Sequence, residues 1–253
     1  EKEEFVIFMQ PKVNKQEGNI IAGAEALVRW NSSQRGMISP GEFIPLFEKT
    51  GLVVDLDRYM FEKACQWLRN YLDAGRPALN VAVNVSRLGL FQEDFVEYYS
   101  GIKQKYRIPD FLLELEFTES VMLDDSSAFK NVVEILKKNG FRCSLDDFGS
   151  GYSSLNVLKN LSIDILKLDI LFFKEGTDLR REQVVIANTV AMAKELNIRT
   201  IAEGVEDTEQ VEFLKSIGCD VVQGYVFSRP MPLMEFDKML KELNGRSIDV
   251  LKD

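Results

Sequence analysis

The sequence predicts an α/β fold, a (β/α)8 TIM-like barrel whose first strand runs antiparallel to the others. Apolar, strand-like segments alternate with helix-like segments along the chain, and this alternation is typical of a parallel sheet. A barrel of this kind typically has ~250 residues. The chain has 253 residues, of which 45% are hydrophobic and available for a core. The expected strands are Phe5–Val13, Ala22–Trp30, Leu79–Ser86, Leu112–Thr118, Arg142–Phe148, Ile165–Ile170, Arg199–Val205 and Val221–Phe227.

The connections between these segments support the prediction. Asn14–Asn19 is too short for a crossover helix, so the first two strands are expected to form an antiparallel hairpin. Phe129–Leu136 carries apolar side chains at positions i, i+3, i+4 and i+7, which predicts one buried helical face. Asp207–Gln210 resembles a capping box at the start of another helix. The glycines expected at helix C-termini, where positive φ is needed, are Gly75, Gly140 and Gly218.

The composition excludes several classes of function. The net charge is −9 and the isoelectric point is about 4.9, which argues against a nucleic acid polymer or an anionic membrane surface as partner. The chain has no histidine. Ser–His and Cys–His catalysis are therefore excluded, and the commonest zinc ligand is missing. Three widely separated cysteines provide no disulfide framework, which indicates a reducing, intracellular compartment.

We expect one domain, residues 1–253, located in the cytoplasm. No Pro/Gly/Ser-rich linker interrupts the chain, and no apolar segment approaches the ~18 residues of a membrane span. The chain starts directly before the first strand, without an initiator methionine or a signal-like segment. These features predict a domain excised from a larger multidomain signalling protein, which is either cytoplasmic or anchored in a membrane with this domain in the cytoplasm.

Polar side chains are expected to line the barrel interior. Alternate residues of a strand point to opposite faces, and the outer face of a barrel must be apolar to hold its helices. Asn84, Glu114, Glu116 and Lys167 therefore point inward, near the strand ends where barrel enzymes keep their active sites. The structural alternative is that some of them form internal ion pairs, such as Lys167 with Asp169, or that Glu114 only supports the fold.

The polar set predicts a site for hard cations. Carboxylates and an asparagine amide, without a histidine or thiolate cluster, favour Mg²⁺ or Mn²⁺. Two such ions that share a carboxylate suit the attack of water on a phosphodiester. Lys167 would donate to the water or to the charge that develops at phosphorus, and a carboxylate must accept the proton because histidine is absent.

The segment Ala24–Trp30, Ala-Glu-Ala-Leu-Val-Arg-Trp, resembles the name-giving motif of the EAL-domain cyclic-di-GMP phosphodiesterase family. Further motifs follow in the family's order over roughly residues 5 to 240, and the family fold is a (β/α)8-type barrel with an antiparallel first strand. These motifs are Gln10-Pro11, Ser39–Ile44, Val83–Ser86, Glu114–Ser120, Asp146–Leu155, Leu166–Asp169, Ala202–Glu206 and Gln223–Tyr225.

The resemblance implies roles for individual residues. One metal ion would bind Glu25, Asn84, Glu116 and Asp146, and a second would bind Asp146, Asp147 and Glu203. The residues implied in catalysis are Glu25, Lys167 and Glu203. The residues implied in substrate binding are Gln10, Leu27, Arg29, Asp147 and Gln223. The implied reaction is hydrolysis of one phosphodiester bond of cyclic-di-GMP to linear pGpG, with Mg²⁺ or Mn²⁺ as cofactor and Ca²⁺ as inhibitor.

Glu119, Ser150 and Glu206 are expected to support the site. The segment Gly149–Ser154 contains two glycines, three serines and a tyrosine, so outside contacts must fix its backbone. We expect a mobile lid that Glu119 anchors, with Ser150 in place of the family's usual threonine, and with Glu206 behind the metal ligands.

The resemblance also implies partners: cyclic-di-GMP, a second copy in a homodimer, and a flanking regulatory or GGDEF-type domain. Membrane contact by this domain is not expected. One alternative is an inactive EAL domain that acts as a cyclic-di-GMP receptor, although such members usually lose metal ligands or the loop motif, and this chain keeps both. Another is a Schiff-base lyase that uses Lys167, which the surrounding acids argue against.

Overall fold

The structure is a computed structural model that describes residues 4–123, 126–149, 158, 161–169 and 179–250. Its strands are β1 (Phe5–Asn14), β2 (Ile20–Ser32), β3 (Gly36–Ile38), β4 (Asn80–Val85), β5 (Leu113–Thr118), β6 (Arg142–Asp146), β7 (Ile165–Asp169), β8 (Arg199–Glu203), β9 (Val221–Val222) and β10 (Met231–Pro232). Its helices are α1 (Pro40–Thr50), α2 (Val53–Asp73), α3 (Arg87–Leu90), α4 (Phe95–Lys105), α5 (Ser126–Lys138), α6 (Leu179–Glu195), α7 (Thr208–Ser216) and α8 (Leu233–Leu243), with a 3₁₀ helix at Glu119–Leu123.

The strands form a closed barrel, as predicted. Parallel pairing runs from β2 through β4, β5, β6, β7 and β8 to β9. Strand β1 closes the barrel by pairing antiparallel with both β2 and β9. The short strands β3 and β10 extend the sheet outside the closed ring, and both pair antiparallel with their neighbours. The predicted fold class and the antiparallel first strand are therefore confirmed.

The last barrel strand differs from the prediction. A strand over Val221–Phe227 is wrong, because only Val221–Val222 pairs as a strand. The chain then turns at Gly224, whose position packs so closely on Val205 that a Cβ there would lie 2.0 Å from the Val205 carbonyl oxygen. This contact joins residues far apart in the sequence, so the local pattern of apolar residues could not indicate it.

The helices cover the barrel with apolar faces, as the periodicity predicts. Phe129, Val133 and Leu136 of α5 are fully buried. At α7, the Asp207 side chain accepts a hydrogen bond of 2.8 Å from the Gln210 backbone N–H, so the predicted N-cap is confirmed. The three predicted helix-end glycines all have positive φ. Among the described residues, none of the helices combines the length and the apolar character that a membrane span requires.

Candidate active site

The predicted polar residues meet inside the barrel, near the C-terminal ends of its parallel strands. Each of them comes from a different strand or from the turn directly after one, so the barrel itself sets their spacing. These residues are Gln10 on β1, Glu25 on β2, Asn84 on β4, Glu116 on β5, Asp146 on β6, Lys167 on β7, Glu203 on β8 and Gln223 after β9.

Lys167 lies at the centre of this cluster. Its side chain is 1% exposed, and its ammonium group is surrounded by carboxylates. The ion-pair distances from Lys167 Nζ are 3.8 Å to Glu25 Oε2, 2.8 Å to Glu116 Oε2, 3.2 Å to Asp146 Oδ2 and 2.7 Å to Glu203 Oε1. Burial alone would lower the pKa of Lys167, but Asp146 and the other carboxylates outweigh burial and raise it well above its ordinary value. The lysine is therefore a fixed positive charge.

An amide network holds Glu25. Asn84 Nδ2 donates to Glu25 Oε1 at 2.7 Å, and Gln223 Nε2 donates to Glu25 Oε2 at 2.6 Å. Gln223 Nε2 also donates to Gln10 Oε1 at 3.1 Å, while Gln10 Nε2 donates to the Ser228 carbonyl at 3.1 Å. Both Glu25 oxygens thus have fixed directions. Within the described part of the chain, Gln223 Oε1 is buried without a hydrogen-bond partner, which makes it available to a ligand.

Asp146 and Asp147 lie where strand β6 ends. Asp147 has a φ of 56°, in the left-handed region that non-glycine residues rarely adopt. Its backbone N–H donates to Asp146 Oδ1 at 2.9 Å. Strand parity would place two adjacent side chains on opposite faces, and this turn removes the alternation. Burial and the neighbouring Asp146 carboxylate raise the pKa of Asp147 to about 6.

Negative charge exceeds positive charge in the cluster. Five carboxyl groups form ion pairs with Lys12 or Lys167, so the net charge with all groups ionised is 2 − 5 = −3. Burial and Glu116 raise the pKa of Glu25 to about 7 despite the nearby lysines. Burial likewise raises the pKa of Glu203 well above its ordinary value, against the attraction of Lys167. The site therefore has a deficit of positive charge.

Lys12 is a site residue that the sequence analysis missed. It is 2% exposed, and its ammonium group lies 3.0 Å from Glu114 Oε1 and 2.7 Å from Glu116 Oε1. Burial raises the pKa of Glu116, but Lys12 and Lys167 outweigh it and lower that pKa to about 2. The signal was present, because Lys12 lies two residues after Gln10 and therefore on the same face of β1. Glu114 does form the internal ion pair that the structural alternative allowed.

A cavity of about 250 Å³ adjoins the mouth of the barrel, between β2, β4, α1 and α2. Leu27, Arg29 and Asn84 line it, together with Asp57 from α2, which the sequence analysis also missed. Asp57 is 8% exposed, and its Oδ2 accepts a hydrogen bond of 2.9 Å from the Ser86 backbone N–H. Burial raises the pKa of Asp57 to about 7, although the hydrogen bonds from Ser86 oppose the shift.

The remaining predicted residues lie at the edge of the site or outside the description. Arg29 is partly buried, and its Nη1 donates to the Val28 carbonyl at 2.8 Å. Glu119 is buried at the start of the 3₁₀ helix, whereas Glu206 is exposed. Ser150 lies outside the described residues, as does the predicted lid after Gly149. The roles of these residues in anchoring a loop or supporting metal ligands therefore stay predictions.

Comparison with known proteins assigns the chain to a family. The family model of the EAL domain matches residues 1–230. The chain belongs to the EAL domain family. The resemblance found in the sequence motifs is thus confirmed.

Relatives of this EAL domain include much longer proteins. The bifunctional diguanylate cyclase/cyclic di-GMP phosphodiesterase MucR of Pseudomonas aeruginosa is 39% identical over 232 residues, which are 92% of this chain and 34% of MucR. The cyclic di-GMP phosphodiesterase PdeR of Escherichia coli is 34% identical over 247 residues, which are 98% of this chain and 37% of PdeR. This chain therefore spans about a third of the length of these curated relatives.

The fold also matches a solved EAL structure. The structure of the PaMucR phosphodiesterase in complex with c-di-GMP superimposes with a TM-score of 0.87 and 38% sequence identity. The match covers 93% of this chain and 95% of that one. The likeness therefore extends over nearly the whole barrel in both proteins.

The donor set of this EAL domain fits a hard divalent cation. Its oxygen donors are carboxylates and amides, which Mg²⁺ and Mn²⁺ prefer, and the deficit of positive charge favours a cation. Among the described residues, no group of three or more Asp, Glu, His or Cys side chains is arranged as a ready-made metal site. Instead the ammonium group of Lys167 lies among the carboxylates. Metal binding would therefore require some of the carboxylates to exchange their contact with Lys167 for contact with the ion.

Proposed function

We propose that this EAL domain hydrolyses one phosphodiester bond of cyclic-di-GMP to linear pGpG in a reaction that depends on Mg²⁺ or Mn²⁺. The observation that carries the proposal is the ring of Glu25, Glu116, Asp146 and Glu203 around Lys167 at the open end of the barrel. Relatives named cyclic di-GMP phosphodiesterases, and the PaMucR structure in complex with c-di-GMP, support the choice of substrate.

The metal ligands are proposed from the donor set. Glu25, Asn84, Glu116 and Asp146 would hold one ion, and Asp146 with Asp147 and Glu203 would hold a second. When bound, these ions would stabilise charge on the phosphoryl oxygens and lower the pKa of the attacking water. Ca²⁺ is expected to bind without supporting turnover, because it is larger and tolerates looser geometry.

Glu203 and Lys167 would divide the work on the attacking water. Glu203 is the proposed proton acceptor, because burial raises its pKa above the ordinary value and so makes its carboxylate a stronger base. Lys167 lies 2.7 Å from Glu203 Oε1, so its N–H groups can orient the same water. Its permanent charge also stabilises the negative charge that develops at phosphorus, because electrostatic interactions are strong in a buried site.

The substrate would extend from the cluster into the adjoining cavity. Arg29 would bind a phosphate at its edge, since guanidinium groups match phosphate oxygens in geometry and charge. The cavity has mainly apolar walls, which include Leu27, and these suit a purine ring. When ionised, the Asp57 carboxylate would accept hydrogen bonds from the N1–H and N2–H groups of guanine. Gln10 and Gln223 would contact the substrate from the side of Glu25 opposite to Asn84.

We further propose one domain over residues 1–253 that works in the cytoplasm as a homodimer within a longer protein. The length of the relatives supports flanking regulatory regions, because this chain spans about a third of them. The outer face of α6 supports a partner surface, because Leu179, Val184 and Val185 are 69%, 53% and 51% exposed.

Product analysis tests the proposed activity and the receptor alternative together. The purified chain is incubated with cyclic-di-GMP in Mg²⁺, in Ca²⁺ and in EDTA, and the nucleotides are separated and weighed by mass spectrometry. The proposal expects pGpG in Mg²⁺ alone, with bound but intact cyclic-di-GMP in Ca²⁺. Intact nucleotide bound under every condition would support the receptor instead. Glu97→Gln, an exposed change on α4 outside the family motifs, serves as the control variant and should behave as wild type.

A further inference from the structure

A second buried lysine lies beneath the carboxylate ring. Lys12 points into the barrel from β1, the antiparallel strand, and is almost as deeply buried as Lys167. The register of the β1–β2 ladder shifts immediately after Lys12, where β2 has one extra residue.

Lys12 approaches the ring from the floor of the barrel. With Glu114 it lines a small cavity of about 20 Å³ at the N-terminal ends of the strands. Arg142 and Arg199, the first residues of β6 and β8, line the same cavity. The proposed active site lies at the other ends of these strands, so Lys12 has no access to a substrate there.

Each oxygen of the Glu116 carboxylate contacts a different lysine. Lys12 Nζ lies 2.7 Å from Glu116 Oε1, and Lys167 Nζ lies 2.8 Å from Glu116 Oε2. Glu116 is 1% exposed, so water does not replace either contact. Because Lys12 contacts Oε1 from the floor of the barrel, Oε2 is the oxygen that faces the carboxylate ring.

We propose that Lys12 is a positioning residue that fixes Glu116 so that its Oε2 is presented to a divalent cation in the carboxylate ring. The inference rests on the proposed function, because Glu116 is a proposed metal ligand. Contacts behind a ligand commonly set its orientation, and their loss typically weakens metal affinity or activity by about 10- to 100-fold. Glu114 compensates the charge of Lys12, from which it lies 3.0 Å away.

The opposite charges of Lys12 and Glu114 allow the effect of positioning on metal affinity to be separated from the effect of net charge. Lys12 and Glu114 together contribute no net charge, so the double variant Lys12→Met/Glu114→Met leaves the net charge of the barrel interior unchanged. Methionine is similar in length to both side chains, and replacing a buried ion pair by apolar residues is often neutral for stability. A model based on net charge alone predicts unchanged metal affinity in the double variant. The positioning role predicts weaker affinity.

Direct Mn²⁺ binding provides the test, measured by the electron paramagnetic resonance signal of free Mn²⁺. We expect the double variant to bind Mn²⁺ about tenfold more weakly than wild type and to recover most of its turnover when Mn²⁺ is saturating. The matched control is Lys103→Met. Lys103 is also a buried lysine, but it pairs with Asp110 and donates to the Asn139 carbonyl at 2.7 Å, outside the barrel. The control should keep wild-type Mn²⁺ affinity.

Each outcome is decisive. Equal Mn²⁺ affinity in wild type and the double variant would overturn the role of Lys12, even if both hydrolyse cyclic-di-GMP. Wild-type protein that binds Mn²⁺ without hydrolysis would refute the proposed function alone, and the comparison of affinities would still test Lys12. Absence of Mn²⁺ binding by wild type would overturn both. Should the methionine variant not fold, Lys12→Gln/Glu114→Gln replaces it with the same expected direction.

Discussion

Replacing Asp57 with asparagine is expected to flatten the pH dependence of stability of the metal-free domain. In the folded state the pKa of Asp57 is raised from 3.8 to about 7, mainly by burial, with a smaller contribution from Glu48 on α1. Between these values the folded protein binds more protons than the unfolded chain, so its stability falls as the pH rises. Below the lower pKa and above the higher one, this contribution no longer changes with pH.

The size of the effect follows from the shift. Each pKa unit corresponds to about 1.4 kcal/mol, so about two units between pH 5 and pH 7 give about 3 kcal/mol. This is a large fraction of the ~5–15 kcal/mol that stabilises a typical domain. Glu25, whose pKa is raised from 4.5 to about 7, adds a loss in the same direction in wild type. The Asp57→Asn variant should keep the loss of stability due to Glu25 but not the loss due to Asp57.

Urea unfolding at pH 5 and pH 8 in EDTA measures the difference. The free energy of unfolding of wild type should fall by about 3 kcal/mol more than that of Asp57→Asn over this range. The control is Asp55→Asn, an exposed carboxylate on the same helix, which should follow wild type. A decline in Asp57→Asn as steep as in wild type would refute the argument that burial holds this carboxyl group in its neutral form.

Three further predictions follow from the geometry of the site and the barrel. Gly224→Ala should destabilise the fold by about 3 kcal/mol, because the added Cβ would lie 2.0 Å from the Val205 carbonyl oxygen. The control is Gly101→Ala, which has open space around the added Cβ and should not lower the melting temperature. Similar melting temperatures for both variants would contradict this. Turnover should need Mg²⁺ or Mn²⁺ and be inhibited by Ca²⁺; full activity after exhaustive chelation would exclude the metal. Glu119→Ala should keep the wild-type melting temperature, lose most turnover and need more Mg²⁺ for activity. A wild-type rate with a wild-type metal titration would show that the segment Gly149–Ser154 does not need Glu119 as an anchor.

The barrel could be predicted because its signals are local. The alternation of Glu114 and Glu116 with leucines placed both carboxylates inside, and the short Asn14–Asn19 connection predicted the antiparallel hairpin. Lys167 and Asn84 were identified in the same way, from strand parity. These patterns depend only on neighbouring residues, and the structure places all four side chains where parity requires.

The features that were missed depend on contacts across the chain. Asp57 lies within the buried face of α2, where a helical pattern gives no reason to expect a carboxyl group lining a cavity. Strand parity with Gln10 places Lys12 inside the barrel, but its two partners lie about a hundred residues away on β5, so the pattern of β1 does not show what it contacts. The last strand was predicted too long because Gly224 packs against the backbone of Val205. Sequence periodicity cannot report which distant residue fills the opposite side of a contact.

The most direct test of the central claim is the turnover of cyclic-di-GMP by Lys167→Met in saturating Mg²⁺, with nucleotide affinity measured separately in Ca²⁺. The ammonium group of Lys167 contacts four carboxylates at the centre of the cluster, and it is assigned to the attacking water and the charge at phosphorus. Loss of such a group typically lowers turnover by about 10²- to 10³-fold. The account predicts a loss of this size with cyclic-di-GMP affinity in Ca²⁺ within about threefold of wild type, since the proposed substrate contacts lie elsewhere. A Lys167→Met variant that binds cyclic-di-GMP normally and hydrolyses it at the wild-type rate would contradict it.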